Sequence, residues 1–451
     1  MDTVSVRFKL GDFAKLRSKL LYDLSREYFS ILLGKTHFIG NNKIITVHEI
    51  KYPLIKDYKN QSKAFLRMDK EFIFDIIEEI IQRYDLDTII DVHTHPFSKD
   101  EVWFSGVDDS DEINFFNFLN KNFDNINYAS IVLSQNNYKA RFLTFKNKKV
   151  VFENASIYTQ TIDENIISLQ FEDDLLNIKN FYNRGALTLG LENMKKIMNN
   201  QVISVIGAGG IGSVIAEHLV HMGFNKINLI DFDKLEVSNL NRVVGAYFDD
   251  AVKARYKVDV IKEHLLRINP KIGVNVFRTS IDDKNIESVI AFSNWIIVAT
   301  DNHSSRLVSQ ELSLKYFVPM ITAGVNITVD NNKIIDMSGE VITIRNGENI
   351  CLHCLKRLNH SLIAYETATE EQVRKKLVNN GYVTGKDVKE PAVKTLNTMI
   401  ATILVNNLIN QYVNRQKHQV ITVYENNVSM SIYEDRESVK NRDKNCNYCN
   451  I

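Results

Sequence analysis

The sequence predicts an α/β protein in two parts, a mixed α/β unit over residues 1–150 and a doubly wound unit over 179–451, with a connector at 151–178. Three observations carry that expectation. From about residue 201 to 299, short apolar runs alternate with amphipathic helices, the pattern of a mostly parallel sheet covered on both faces. Before residue 150 strands and helices alternate less regularly, and from Asn147 to Ile178 the periodicity fades. The length of 451 residues suffices for two or three cores at roughly 150 residues per domain.

In the first part, Ser18–Leu33 reads as helical and then extended, and Asp69–Tyr84 (DKEFIFDIIEEIIQRY) as an amphipathic helix. Thr88–Val92 is a short apolar strand, Asp111–Leu119 a helix, and Ala129–Leu133 and Ala140–Phe145 are strands. In the second part Gln201–Ile206 is a strand, Gly207–Gly212 a glycine turn and Ser213–Met222 a helix. Lys226–Ile230 is the next strand, Lys257–Arg267 a helix ended by Asn269-Pro270, and Trp295–Ala299 a buried strand.

Composition excludes several classes. The 55 basic and 55 acidic side chains cancel, so no bulk field draws the chain to nucleic acid. With 5 prolines and 18 glycines it is neither collagen-like nor a Pro/Gly-rich disordered chain. Met1–Leu24 carries charges throughout, unlike a secretory signal. Val202–Val220, the longest apolar stretch, includes four glycines, Glu217 and His218 and is no membrane span. The expectation is a cytoplasmic protein without membrane or nucleic-acid partners.

Two groups of residues carry chemistry. In the first, Asp91-Val-His93-Thr-His95-Pro-Phe leaves a strand. Positions two apart on a strand share a face, so His93 and His95 can bind one ion together. A catalytic zinc takes three protein ligands and keeps one position open; Ser105-Gly-Val-Asp108 offers the third, with Asp109 as the alternative. An H-x-H pair among eleven histidines is weak by itself. With the following Pro and the downstream S-x-x-D it resembles the JAMM (MPN) metalloprotease motif. That family's upstream Glu and apolar run ending in Gly are matched by Glu27-Tyr-Phe-Ser-Ile-Leu-Leu-Gly34. The gap from His95 to Ser105 is slightly longer than the family's. The resemblance implies a cytidine-deaminase-like fold and a catalytic zinc held by His93, His95 and Asp108. It makes Glu27 the proton carrier and Ser105 the donor to the tetrahedral oxyanion, a contact whose loss costs about 3–4 kcal/mol of barrier. A zinc ion at such a site supplies a water nucleophile at neutral pH. A zinc deaminase is disfavoured, since no P-C-x-x-C lies near the histidines.

The second group is Gly207-Ala-Gly209-Gly210-Ile-Gly212 between strand and helix, with Asp231 ending the next strand. Alone, this G-x-G-x-x-G loop and acid fit NAD as well as ATP. The company it keeps is Asp231-Phe-Asp-Lys-Leu-Glu-Val-Ser-Asn239-Leu-Asn-Arg242, then Lys257, then Val298-Ala-Thr-Asp301-Asn302, with Tyr182-Asn183-Arg184 upstream. This set resembles the ThiF/MoeB-type adenylyltransferases, relatives of ubiquitin-activating enzymes. The resemblance implies ATP and Mg²⁺: Gly207, Gly209, Gly210 and Gly212 under the phosphates, Asp231 on the ribose, and Asn239 and Asn302 on the nucleotide. Arg242 and Lys257 would then face the phosphates, Asp301 the Mg²⁺, and Arg184 would reach a partner's ATP in a homodimer. Asp301 and Asn302 can equally be helix caps.

The four cysteines form two knuckles, Cys351-Leu-His-Cys354 and Cys446-Asn-Tyr-Cys449. That spacing fits a structural Cys₄ zinc site; unrelated thiols or a redox pair are the alternative. With all four on zinc, no thiol remains for an internal thioester. Both resemblances concern the C-terminal Gly of a ubiquitin-like protein, so the expected activities are adenylation of that carboxylate and zinc-dependent (iso)peptidase cleavage at the same tail. The acceptor would be a separate thiol-bearing conjugating enzyme or a sulfur donor. Adenylation of a short peptide or small carboxylate, an NAD-dependent oxidoreductase and a non-catalytic scaffold are the rival readings. The polar segment Lys356–Glu390 is expected as a loop over the substrate tail or a disordered one.

Overall fold

The computed structural model describes residues 3–159, 181–199, 201–331, 333–379, 392–413 and 415–449. It divides into two compact units, Met1–Ser168 and Leu169–Ile451. Among the described residues, no helix is long and apolar enough to cross a membrane.

The first unit is built on β1 (Val4–Arg7), β2 (Phe29–Ile39), β3 (Asn42–Lys51), β4 (Tyr58–Gln61), β5 (Leu66–Met68), β6 (Thr88–Thr94), β7 (Asn127–Leu133), β8 (Tyr138–Lys146) and β9 (Lys149–Tyr158). Seven of these close a barrel in the order β1-β3-β2-β6-β7-β8-β9, and β4 and β5 pair apart. Two cores follow from the alternation of side chains along each strand. Ile90 and Val92 of β6 join Phe13, Leu16 and Leu20 of the helix Asp12–Leu20. Ile89 faces the other way, among Ile76, Ile77 and Ile80 of the helix Lys70–Ile81 and Phe116 and Leu119 of the helix Gly106–Asn122. The two-residue period therefore puts Asp91 and His93 on the Ile89 face.

Three local expectations need correction here. The segment Ser18–Leu33 is not one helical-then-extended run: its helix is Asp12–Leu20, begun after the left-handed Gly11, and the strand starts only at Phe29. Phe13, Leu16 and Leu20 set that helix's buried face, so its true start precedes the predicted one. The helix expected at Asp111–Leu119 begins five residues earlier because Ser105 and Asp108 form a capping box. Lys149–Tyr158, expected largely within the connector, is strand β9, which pairs with β8 and, in parallel, with β1. A ladder to a strand some 150 residues away leaves no local signature. The rest of the expected connector lies outside the described residues.

The second unit carries β10 (Val202–Ile206), β11 (Lys226–Ile230), β12 (Gly273–Phe277), β13 (Trp295–Val298), β14 (Met320–Asp330), β15 (Lys333–Ile344), β16 (Val420–Asn426) and β17 (Met430–Glu434). They form one sheet in the order β12-β11-β10-β13-β14-β15-β16-β17. The first five run parallel, the last three antiparallel. Chain order reverses at β10, which pairs with β11 on one side and β13 on the other. Ile206 is level with Ile230 and with Val298, so the glycine loop, Asp231 and Ala299–Asp301 leave the sheet side by side at its carboxyl edge. In open α/β sheets that reversal point is where ligands bind. Lys356–Glu390 is not simply a loop: it holds the helices His360–Thr367, capped by Asn359, and Glu371–Asn379, with 380–390 outside the described residues.

Candidate functional site

At the carboxyl edge of the second sheet lies a cavity of about 830 Å³. The helix Gly212–His221 starts beneath it, and the positive end of its dipole favours an anion there. Gly207 adopts φ +90°, and a Cβ on it would stand 2.7 Å from Ala299 O; one on Gly212 would stand 1.9 Å from Gly207 O. Only glycine fits either place, so the loop backbone can approach a phosphate closely.

The cavity lining includes Gly207, Gly209, Gly210, Asp231, Asn239, Arg242, Lys257, Asp301 and Asn302. Asp231 accepts hydrogen bonds from Ala208 N (2.6 Å) and Asp233 N (2.8 Å). Burial pushes its carboxyl above the usual range, against those bonds and nearby Lys257. Lys257, first residue of the helix Lys257–Ile268, pairs with Asp233 at 2.6 Å. Arg242 donates to Ser238 O (2.8 Å) and Asn241 Oδ1 (3.1 Å).

Not every singled-out residue is free for a ligand. Asn302 is the N-cap of the helix His303–Tyr316, its Oδ1 accepting from Ser305 N at 2.9 Å. Asn239 Oδ1 accepts from Glu236 N at 3.2 Å. Arg184, exposed on the short helix Asn183–Leu189, is not among the cavity-lining residues. Its neighbour Tyr182 is anchored by its hydroxyl on Val220 O (3.0 Å).

Asp233, Arg306 and Asn397 also line the cavity and escaped sequence reasoning. Arg306 lies four residues after Asn302, one turn along the same helix face; it donates to Thr300 O (3.1 Å). Asn397, 4% exposed within the apolar helix Lys394–Ile409, was legible only as a polar residue in an apolar run.

In the first unit His93, His95 and Asp108 offer donor atoms within 4.8 Å of one another. His93 Nε2 stands 3.5 Å from Asp108 Oδ1 and His95 Nε2 3.9 Å from Asp108 Oδ2. His93 Nε2 is buried without a hydrogen-bond partner, as a nitrogen waiting for a cation would be. This donor set fits zinc. Burial of the His93 ring works against its charge, yet Asp108, Asp91 and Glu112 raise its pKa; burial and His93 bring His95 down to about 4. Burial opposes the Asp108 charge, but His93 and Ser105 hold that carboxyl well below the usual range. Asp109 turns away to Arg141 (2.6 Å). Ser105 Oγ accepts from Asp108 N, which leaves its O–H to donate. Glu27, 7% exposed, is fixed beside the histidines because Tyr28 N donates to Thr94 Oγ1 (2.8 Å) and Thr94 N to Tyr28 O (3.1 Å). Burial pushes its carboxyl up to about 7, with His93 pulling down and Asp108 adding to the rise.

Cys351, Cys354, Cys446 and Cys449 bring their sulfurs within 4.8 Å of one another. Cys351 and Cys446 Sγ are 3.6 Å apart, Cys354 and Cys449 Sγ 4.0 Å. A tetrahedron with Zn–S near ~2.3 Å has edges of about 3.8 Å, so the thiols already fit that ion; a disulfide needs about 2.05 Å. The replacement Cys351→Ser/Cys354→Ser is expected to lower zinc by one per chain and to unfold the second unit at a lower temperature, since such sites couple binding to folding. Metal analysis and calorimetry check it.

A glycine loop at the switch point of a doubly wound sheet, an acid following the neighbouring strand, and Arg242, Lys257 and Arg306 around one cavity define a Rossmann-like nucleotide-binding protein. The ThiF family model matches residues 182–449, and the chain belongs to the ThiF family. The molybdopterin-synthase adenylyltransferase of Salmonella typhimurium is 30% identical over 179 residues, 39% of this chain and 68% of that protein. The sulfur carrier protein ThiS adenylyltransferase of Bacillus subtilis is 28% identical over 167 residues, 37% of this chain and 47% of that one. A crystal structure of E. coli MccB overlays with TM-score 0.46 at 21% identity, covering 60% of this chain and 75% of that chain.

Proposed function

We propose that the second unit adenylates the C-terminal glycine carboxylate of a ubiquitin-like or sulfur-carrier protein. The carboxylate attacks the α-phosphorus of ATP, pyrophosphate leaves, and an acyl-adenylate forms. The observation that carries this reading is the single cavity uniting the glycine loop, Asp231, Arg242, Lys257 and Asp301. Arg242 and Lys257 offset the charge gathering on the phosphates, and Asp301 would hold Mg²⁺, which would neutralise further phosphate charge. Asp231, with its hydrogen bonds from Ala208 and Asp233, would hold the ribose hydroxyls. Two relatives are named as adenylyltransferases of proteins, molybdopterin synthase and the sulfur carrier protein ThiS, which favours a protein tail over a small carboxylate. The cation pair favours ATP over NAD. Arg184 would serve a partner's site in a homodimer. All four cysteines sit in one cluster, so the adenylate would pass to an external thiol, amine or sulfur donor. A ubiquitin-like protein ending in Gly-Gly is expected to stimulate ATP–pyrophosphate exchange, and the same protein amidated at its C-terminus is not. Equal stimulation by both removes the proposed substrate.

A second reading concerns the first unit, whose barrel runs through β9 to Tyr158. The donor set His93, His95 and Asp108 beside the buried Glu27 favours a JAMM-type zinc (iso)peptidase acting on the same tail. A zinc ion bound there would supply Lewis acidity; Glu27 would carry the proton to the leaving amine, and Ser105 would donate to the oxyanion. The two activities then process and activate one tail, or balance attachment with removal.

A further inference from the structure

We infer that Arg141 is a positioning residue for the His93–His95–Asp108 centre, an inference that rests on the metal-site reading above. Arg141 lies on β8 between Ala140 and Phe142, which face one core, so the strand period turns it to the other side, under the helix Gly106–Asn122. Its residue is 6% exposed. The guanidinium is stacked 3.6 Å from the Phe104 ring centroid and 3.9 Å from that of Phe152. Its Nε donates to Glu112 Oε2 (2.7 Å) and its Nη1 to Asp109 Oδ1 (2.6 Å). Glu112 is in turn held by Ser130 Oγ at 2.7 Å.

These contacts bracket the functional segment. Phe104 immediately precedes Ser105, and its ring also meets that of His93 at 6.3 Å. Asp109 immediately follows Asp108, and Glu112 is one helical turn beyond it. One planar side chain thus fixes the chain on both sides of Ser105–Asp108 against the barrel strand next to β7, itself paired with His93's strand. A buried ion pair adds little net stability over apolar packing of the same volume. What the rigid fork and the two stacked rings do supply is orientation, and partners of that kind around a metal ligand are typically worth 10–100-fold in affinity.

The test uses the full chain with zinc in the cysteine site and measures zinc affinity at the histidine site by chelator competition. The visible spectrum of Co²⁺ bound there and thermal unfolding accompany it. Arg141→Lys keeps the charge and loses the fork; Asp109→Asn, at a half-exposed position, is the milder variant. Both are expected to weaken zinc at the histidine site, about 10–100-fold for Arg141→Lys and less for Asp109→Asn. The Co²⁺ spectrum shifts, and the cysteine-site zinc is unchanged. Wild-type affinity and spectrum in a folded Arg141→Lys protein would overturn the inference. A wild-type protein that binds zinc only at the cysteines would overturn the metal-site reading and this inference together.

Discussion

Lys257→Ala lowers tail-dependent ATP–pyrophosphate exchange by about 10²–10³-fold, the range for removing one preorganised charge-stabilising donor. Two effects add at this position. The ammonium is lost from a cavity where pyrophosphate must leave, and Asp233, its partner at 2.6 Å, remains as an uncompensated carboxylate near Asp231. Asp233 then faces the triphosphate with its charge unneutralised. The variant Lys257→Ala/Asp233→Asn removes the second effect, so it recovers part of the ATP affinity while the rate stays low. Arg242→Ala acts in the same direction through the rate. Exchange kinetics with varied ATP, alongside circular dichroism, separate these terms. Exchange within twofold of wild type in a folded Lys257→Ala protein would remove Lys257 from the chemistry.

On the (iso)peptidase reading proposed for the first unit, Glu27→Gln is expected to lower cleavage of a ubiquitin-like precursor extended beyond its Gly-Gly by about 10²–10⁴-fold, the usual contribution of general acid–base catalysis. Zinc content stays unchanged, because Glu27 is not among the clustered donors. The substitution keeps the size and hydrogen-bonding shape of a side chain that is 7% exposed, so the fold has no cavity to absorb. What disappears is the buried carboxyl beside the histidine donor set that would carry the proton. Cleavage at the wild-type rate would show that Glu27 carries no proton in the reaction. Parallel metal analysis distinguishes that result from loss of the ion.

Some of this was written plainly in the sequence and some was not. The glycine loop, Asp231, Lys257 and Asp301 stand at strand ends or helix starts and Arg242 in the turn after Val237–Asn239, where periodicity stops and polar residues begin, so a linear reading finds them. His93 and His95 are found by the strand period, and the cysteines by their knuckle spacing. Asn302 shows the limit of such reading: an Asn before a helix caps it whether or not it also meets a ligand. Strand β9 escaped because its partners are β8 and the distant β1, and a parallel ladder with half-buried side chains has no clean alternation. Arg141 escaped for a different reason. A lone Arg in an apolar strand reads as a solvated edge charge, and only the packing of Phe104, Phe152, Glu112 and Asp109 around it reveals a buried one. Asn397 was similarly hidden in an apolar helix.

The most direct test of the adenylation centre is the intact mass of a Gly-Gly-ended ubiquitin-like protein after incubation with this chain, ATP and Mg²⁺. The account predicts a mass gain of one AMP on that protein. It also predicts release of pyrophosphate and no thioester on the enzyme's own cysteines. An unmodified tail with no pyrophosphate released, together with tight binding of NADH in the same cavity, would contradict it.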